Sequence, residues 1–214
     1  MKSYPITIVD NFFEDPDAIR ELGLLADYSK KNERWPGRRS AVHDINKRLF
    51  YYFGVKVFSL FGEQPISWTM ELDFQKINPF SEDKWDKRNR GWVHADRISR
   101  FGGIVYLNKN PDRDTGTSIY KSKDGTFFSY DHEDDIMRKL YRGEKVDIKE
   151  YEQIYDEFHS QFVETVKVDN VYNRLVLFGP DVYHAARTFG TEDRLTMSFF
   201  MSDIGNTLTP LQRN

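Results

Sequence analysis

The chain contains no cysteine. Disulfides, thiolate zinc sites and thiol catalysis are therefore excluded, and any bound metal must take its ligands from histidine, aspartate or glutamate. Long apolar runs are missing as well: no stretch is long enough to cross a membrane, and the N-terminus "MKSYPITIVDNFFEDPDAIR" has no apolar core of a secretory signal. These absences predict a cytoplasmic protein without a membrane partner.

An excess of positive charge is also lacking. The formal net charge is −3 at pH 7 and the pI is about 6.0, so no basic field argues for a nucleic-acid partner. What the chain does have is 39% hydrophobic and 15% aromatic content over 214 residues. That is enough to bury a core without covalent cross-links, and it predicts one domain, residues 1–214.

The first third of the chain, residues 1–65, has the patterns of helical support. A short strand is predicted in "PITIVDNFF", followed by a helix that Asp15 caps and that begins with Pro16. "NERWPGRRS" reads as a turn-rich linker, and a second helix is predicted from "HDINKRLFYYFGVKVFSLFG". No chemical motif stands out in this part of the sequence.

The rest of the chain is mainly of the β type. Residues 66–130 and 167–201 contain short alternating runs, among them "ISWTMELDFQKINPF" and "FGGIVYLN", separated by Gly, Pro and Asp turns. Such spacing is typical of a sandwich or barrel. Residues 131–166 interrupt this pattern with two predicted helices, the second running to Val166. The sequence thus predicts a mainly β fold with N-terminal helices and a helical insertion.

Three of the five histidines have ordinary structural explanations. His43 precedes a helix that Asp44 can cap, and His159 borders the apolar stripe of a long helix. His132 begins "HED", a second histidine-x-aspartate pair, but "DHEDDIMRKL" reads as a helix start. Residues two apart on a helix point about 200° away from each other, so that pair would diverge.

The remaining two histidines suggest a metal site. His94 and Asp96 lie two apart in "GWVHADRISRFGGIVYLN", and on a strand they would point to the same side. They supply two ligands of a 2-His-1-carboxylate triad, which binds Fe(II) and leaves coordination positions open. Alone, the pair is a weak signal. His184, in "FGPDVYHAARTFG", can supply the third ligand if the fold brings it close.

A candidate anion site follows His184 in the chain. Arg194 begins "RLTMSFFM", ten residues later, and on the next antiparallel strand it can enter the same cavity. Its guanidinium group suits a buried carboxylate. Thr196 faces the same side, and its hydroxyl could bond the same anion.

This order of residues resembles the Fe(II)/2-oxoglutarate-dependent oxygenases, and among them the prolyl-hydroxylase-like branch. The resemblance spans roughly residues 66–201, and it rests on four short motifs: His94-Ala95-Asp96, Tyr106-Leu107-Asn108 before the turn with Gly116, His184, and Arg194-Leu195-Thr196. It implies a double-stranded β-helix, or jelly-roll, core. Two departures are Gly116-Thr117 in place of Gly-Gly and the length of the insertion at 131–166.

The resemblance also implies an activity. His94, Asp96 and His184 would hold Fe(II) as the catalytic centre, with 2-oxoglutarate and O2 as cosubstrates. The substrate, a small molecule or a peptide, would be hydroxylated with release of succinate and CO2. The carboxylate ligand favours hydroxylation, because related halogenases lack it.

The cosubstrate contacts implied by the resemblance come from other residues. Arg194 would bind the distal carboxylate of 2-oxoglutarate, assisted by Thr196 and Tyr106. An anionic substrate or an acidic peptide would be suited if basic residues surrounded the mouth of the site; the candidates are Arg97, Arg100, Arg187 and the loop "KWDKRNR". A solvated loop next to a strand end is the more ordinary explanation of these residues.

Two other interpretations remain open from the sequence. The chain could be a non-catalytic jelly-roll protein that binds a protein or glycan and retains a remnant metal pocket. It could also be a metal β-barrel of the cupin type, although those proteins more often cluster histidines and this chain has no H-x-H.

Overall fold

A computed structural model describes residues 6–29, 35–61, 65, 67–125 and 133–205. The helices in these ranges are α1 (Pro16–Leu25), α2 (Val42–Ile45), α3 (Lys47–Ser59), α4 (Glu133–Tyr141) and α5 (Ile148–His159). The strands are β1 (Thr7–Val9), β2 (Arg38–Ala41), β3 (Ser67–Ile77), β4 (Phe101–Tyr106), β5 (Thr117–Ser122), β6 (Phe162–Val168), β7 (Leu175–Phe178), β8 (Tyr183–Ala186) and β9 (Arg194–Gly205). Across the described ranges, none of the helices combines the length and apolarity that a membrane crossing requires.

The strands form two antiparallel sheets. The larger sheet has the order β1-β7-β4-β9-β3-β2, and the smaller one has the order β6-β5-β8. The long strand β9 pairs with β3 on one side and with β4 on the other, so it organises the larger sheet. The prediction of a mainly β fold with accompanying helices is confirmed.

Alternation along β9 gives the larger sheet two different faces. Leu195, Met197 and Phe199 enter the main hydrophobic core, where Phe199 packs against Phe53 of α3 with ring centroids 5.0 Å apart. The residues between them, Arg194, Thr196, Ser198 and Phe200, therefore point to the opposite face. One face of the larger sheet therefore packs into the main hydrophobic core, and the other face carries the polar side chains.

The smaller sheet lies over this polar face. The hydroxyl groups of Tyr106 in β4 and Thr117 in β5 are hydrogen-bonded at 2.8 Å, and the Phe178 ring lies 3.8 Å from the His184 ring. A second hydrophobic cluster joins the smaller sheet to the insertion helices; it contains Trp92, Ile136, Leu140, Tyr151, Tyr155, Phe158, Phe162 and Tyr183. The two sheets thus enclose a space between them.

Helix α1 begins as predicted, with the Asp15 side chain accepting a hydrogen bond from the Ala18 amide at 3.0 Å. The predicted second helix is instead divided at Asn46, whose side chain caps α3 by accepting from the Leu49 amide at 3.0 Å. The predicted linker "NERWPGRRS" ends in β2, which pairs with β3. Its polar residues follow no apolar alternation, so its sequence does not mark it as a strand.

The predicted second helix of the insertion is too long. It ends at His159, and Phe162–Val168 form β6, which pairs with β5. The β-branched residues of "FVETVKV" favour an extended backbone, which explains the change. The second limb of the predicted hairpin at Asp124-Gly125 and the tail "TLTPLQRN" lie outside the described residues, as does His132.

Candidate metal centre

His94 and His184 face each other through a backbone pair. The His94 amide donates to the His184 carbonyl at 3.0 Å, and the His184 amide donates to the His94 carbonyl at 2.9 Å. This bridge is isolated, because His94 lies outside the regular strands, but it keeps antiparallel geometry. Opposed residues in such a pair project to the same side. The two rings are accordingly 4.3 Å apart between centroids.

Asp96 completes the group. Its Oδ1 lies 3.9 Å from Nε2 of His94, and its Oδ2 lies 3.4 Å from Nε2 of His184. One ligand atom from each of the three residues lies within 4.8 Å of the others. Ligands about 2.1 Å from an ion and at right angles to one another are about 3 Å apart, so a small inward movement would suffice. The sequence-predicted triad is therefore brought together by the fold.

Each imidazole is oriented by a main-chain carbonyl. Nδ1 of His94 lies 2.9 Å from the Trp92 carbonyl, and Nδ1 of His184 lies 2.9 Å from the Val182 carbonyl. A carbonyl can only accept, so Nδ1 carries the proton and Nε2 presents its lone pair toward Asp96. Metal-binding histidines commonly have this outer hydrogen bond, which fixes both the tautomer and the ring orientation.

Burial also favours the metal-binding form of His184. Desolvation, reinforced by the neighbouring His94, lowers the pKa of His184 to about 4. Neutral imidazole is the form that coordinates a metal. The side chains of His184 and Asp96 are each 8% exposed, whereas that of His94 is 33% exposed. The group is thus buried on one side and open on the side of His94.

Arg194 lies in the same cavity as the triad. It is 5% exposed, and its Nε donates to the Thr115 carbonyl at 3.1 Å. Among the residues described, no carboxylate lies within ion-pair distance of Arg194. The Oγ1 atom of Thr196, on the same face of β9, is buried and has no hydrogen-bond partner in the described ranges. In the described part of the chain, a buried cation that lacks a carboxylate partner and a buried hydroxyl that lacks a hydrogen-bond partner fit an anionic ligand.

Tyr106 lies beside two residues of the cavity, Thr117 and Arg194. It is fully buried, its hydroxyl is bound to Thr117, and the guanidinium carbon of Arg194 lies 5.6 Å from its ring centroid. Thr117 and Arg194 line the cavity, while Tyr106 and Thr196 are not among its described lining residues. The sequence predicts no role for Thr117. The one indication is its position in Gly116-Thr117, where the family pattern has Gly-Gly.

The cavity has a volume of about 380 Å³ and extends beyond the triad between the two sheets. Helix α4 contributes Met137 and Tyr141 to the lining of the cavity. Trp35 and Phe200 form an aromatic wall on another side of it. This volume is near the lower end of the range of about 300–1,000 Å³ for small-ligand sites. The cavity therefore suits compact ligands.

The basic residues that could have surrounded the mouth are largely engaged in other contacts. Arg187 pairs with Asp114 at 2.7 Å, and Arg97 donates to the Tyr183 hydroxyl at 3.0 Å. Lys84 in the charged loop pairs with Asp112 at 2.6 Å. The cations that do line the cavity are Arg39, Arg138 and Arg194.

The other described histidines lie away from the triad. His43 is half-exposed, and its Nδ1 lies 3.7 Å from Oδ1 of Asp44. His159 stacks on Tyr155 with ring centroids 3.8 Å apart, and its Nε2 is buried without a hydrogen-bond partner in the described part of the chain. His159 is thus part of the aromatic packing behind Trp92.

We expect His159→Phe to make the protein less sensitive to acid. Desolvation lowers the pKa of His159 to about 3, from an ordinary value of 6.5. The unfolded state then binds more protons between these pH values, so this residue's contribution to stability is full above pH 6.5 and is lost as the pH falls toward 3. By linkage the loss between pH 7 and pH 5 is about 2 kcal/mol.

Urea denaturation of the wild type and His159→Phe at pH 7 and pH 5 measures this effect. The free energy of unfolding should fall less between these pH values in the variant. The variant His43→Gln, at a half-exposed histidine, is a matched control and should behave as the wild type does. Equal pH dependence in the wild type and His159→Phe would contradict the assignment.

Solved structures with a similar fold include two prolyl hydroxylases and a protein with nickel and 2-oxoglutarate bound. The match to HygX from Streptomyces hygroscopicus with nickel and 2-oxoglutarate bound has a TM-score of 0.57 and 14% identity, and it covers 97% of this chain and 85% of that one. A prolyl hydroxylase from Trichoplax adhaerens, in complex with a peptide of hypoxia inducible factor, gives 0.54 and 13% identity over 92% and 83%. A Pseudomonas putida prolyl-4-hydroxylase gives 0.51 and 11% identity over 94% of each chain.

The chain therefore shares its fold with these structures, two of which are prolyl hydroxylases. By sequence, residues 1–196 match the family described as "Family of unknown function (DUF6445)", and the chain belongs to that family. None of the curated proteins matches the sequence.

Proposed function

We propose that the protein is an Fe(II)- and 2-oxoglutarate-dependent dioxygenase that hydroxylates a small-molecule or peptide substrate. One observation carries this proposal: a single cavity contains three converging metal-ligand side chains and a buried arginine that has no carboxylate partner in the described ranges. The solved structures of similar fold, one with nickel and 2-oxoglutarate bound, support it.

The ligands of Fe(II) in this proposal are His94, Asp96 and His184. Two neutral imidazoles and one carboxylate on the same side of an ion leave its other positions open, which is the arrangement of non-heme Fe(II) oxygenases. When bound, iron with 2-oxoglutarate and O2 would supply the oxidising chemistry, converting a substrate C–H to C–OH while 2-oxoglutarate becomes succinate and CO2.

The residues proposed to bind 2-oxoglutarate have unequal roles. The buried guanidinium group of Arg194 would pair with the distal carboxylate of 2-oxoglutarate, and the free hydroxyl of Thr196 would donate to the same group. Thr117 faces the cavity directly. Tyr106 is hydrogen-bonded to Thr117, so its contribution would be to position that side chain.

The architecture fits one oxygenase domain, residues 1–214, in this proposal. The two sheets would be the halves of a double-stranded β-helix, supported by the helices of residues 1–65. The helical insertion would be shorter than 131–166, since β6 begins at Phe162. Its helix α4 would help to select the substrate, because Met137 and Tyr141 line the cavity.

Purified protein supplied with Fe(II), 2-oxoglutarate and air should release succinate slowly even without a substrate. Removing the metal with EDTA should abolish this release, and Fe(II) should restore it where Zn(II) does not, because Zn(II) has no redox chemistry. Succinate is measured by chromatography, and Fe(II) affinity by anaerobic calorimetry. His43→Ala serves as a histidine control outside the cavity. Failure of the wild type to bind Fe(II) would refute the proposal.

A further inference from the structure

Arg39 is a second cation in the cavity of the triad, and its side chain is 12% exposed. In the larger sheet, Arg39 of β2 is in register with Gln75 of β3, and Gln75 is in register with Thr196 of β9. Opposed residues on antiparallel strands point to the same face. Arg39 therefore belongs to the same polar row as Thr196, two strands away from it.

The charge of Arg39 is only loosely compensated. The nearest ion-pair contact, from its Nη1 to Asp73 Oδ2, is 3.9 Å and thus beyond hydrogen-bonding distance. Nε of Arg39 is buried and has no hydrogen-bond partner in the part of the chain that is described. An arginine held this way retains donors for a further acceptor. Leaving such donors unsatisfied in a buried site is costly, so a ligand that accepts from them would be favoured.

An aromatic wall connects Arg39 with the triad. The guanidinium carbon of Arg39 lies 4.6 Å from the Trp35 ring centroid and 5.5 Å from that of Phe200. These two rings are nearly parallel, with an interplanar angle of 22°, and the Trp35 centroid lies 6.3 Å from that of His94. An apolar group lying against this wall would therefore be adjacent to a metal ligand, while an acceptor at its other end could reach Arg39.

The three arginines that line the cavity differ in whether they are available to bind a substrate anion. Arg194 is already assigned to the cosubstrate, and Arg138 has an interaction partner of its own. Arg39 is therefore the cation available to bind an anion other than 2-oxoglutarate. Asp73, Asp96 and Glu71 all lie near enough to act on the charge of Arg39. Their negative charges would repel a dianion such as a phosphate, so a carboxylate is the better match.

We propose that Arg39 binds a carboxylate of the primary substrate while Trp35 and Phe200 hold its apolar body. The substrate class is then a carboxylic acid with an aromatic or branched apolar group, hydroxylated at a carbon beside His94. This inference rests on the proposed oxygenase function and deepens it. The carboxylate can belong to a free acid or to the end of a peptide, and the cavity volume of about 380 Å³, shared with 2-oxoglutarate, favours the free acid.

Binding is tested on the full chain with Fe(II) and saturating 2-oxoglutarate under nitrogen, so that the cosubstrate end is filled and nothing turns over. The probes for calorimetry are 3-phenylpropionate, its uncharged analogue 3-phenylpropionamide, and N-acetyl-alanyl-alanyl-phenylalanine with a free carboxylate. The wild type should bind 3-phenylpropionate at least about tenfold more tightly than the amide, a difference in keeping with one charged hydrogen bond. The peptide should bind more weakly than the free acid.

Arg39→Gln should remove the preference for the acid over the amide, and Arg39→Lys should retain part of it, because a lysine keeps the charge without the planar fork. Arg38→Gln is the matched control: Arg38 is the preceding residue of β2, exposed, and bonded to the Tyr28 carbonyl. It should leave the preference intact. If Arg39→Gln does not fold, Trp35→Leu replaces it and should weaken acid and amide binding by the same factor.

The inference is overturned if no probe binds the wild type, if Arg39→Gln keeps the preference for the acid, or if Trp35→Leu leaves both affinities unchanged. It is also overturned if Arg39→Gln weakens 2-oxoglutarate binding as much as probe binding, because Arg39 would then belong to the cosubstrate end. Tighter binding of the peptide than of the free acid would support the carboxylate contact and assign its source to a peptide. Failure of the oxygenase function itself is distinguished earlier, as absence of Fe(II) and 2-oxoglutarate binding in the wild type.

Discussion

Asp96→Ala is expected to lower Fe(II)-dependent succinate release more than about 100-fold, since even the loss of outer partners of a metal ligand costs about 10- to 100-fold. The reason is electrostatic as well as geometric. Asp96 is the one anionic member of the triad, it is 8% exposed, and its two oxygens face the two imidazoles at 3.9 and 3.4 Å. Without Asp96, only the two neutral imidazoles would hold the Fe(II) dication, and no triad carboxylate would balance its charge in a partly buried site.

The same variant should lose Fe(II) affinity in anaerobic calorimetry while keeping its fold. Thermal unfolding of the metal-free proteins checks the fold. Asp44→Ala is a suitable control, because this aspartate is 67% exposed beside His43 and outside the cavity. An Asp96→Ala protein that bound Fe(II) within tenfold of the wild type would rule out Asp96 as a ligand.

Arg194→Met is expected to raise the KM for 2-oxoglutarate at least about 100-fold, the scale of breaking a buried ion pair at about 3–5 kcal/mol. Methionine keeps much of the apolar stem and removes only the charge and the donors. Arg194→Lys should recover part of the affinity, because it restores the charge without the two-pronged geometry. Affinity for Fe(II) in the absence of 2-oxoglutarate should stay close to that of the wild type.

A steady-state titration of 2-oxoglutarate against succinate release measures this KM, and calorimetry measures the Fe(II) affinity on the same samples. Arg113→Met is the matched control, since Arg113 is 78% exposed and its nearest acid, Asp169, is 3.7 Å away. A change in KM of less than threefold in Arg194→Met would assign the cosubstrate carboxylate to another residue.

The convergence of His94 and Asp96 could be predicted because its signal is local. A histidine and an aspartate two apart need only an extended backbone to converge, and the backbone pair of His94 with His184 provides it. The pairing itself could not be predicted, since it joins segments ninety residues apart and nothing in either segment specifies its partner. Only the resemblance to a family connected them.

Arg39 and β6 were missed for physical reasons. The strand β2 reads "RRSA", which has no apolar alternation, and its register comes entirely from its pairing with β3. Phe158, Phe162 and Val166 are spaced by four and fit a helical stripe, and this spacing led to a predicted helix that continues past His159. Pairing of β6 with β5 overrides that helical pattern.

Strand β9 also limits how such a protein can diversify. Its alternate residues belong to the core and to the cavity, and it is paired on both sides. Insertion or deletion of one residue would exchange the two sets, sending Met197 and Phe199 into the cavity and charged or hydroxylated groups into the core. New specificities within this family should therefore arise by substitution in β9, and by changes of length only in peripheral elements such as β2 and the α4 insertion.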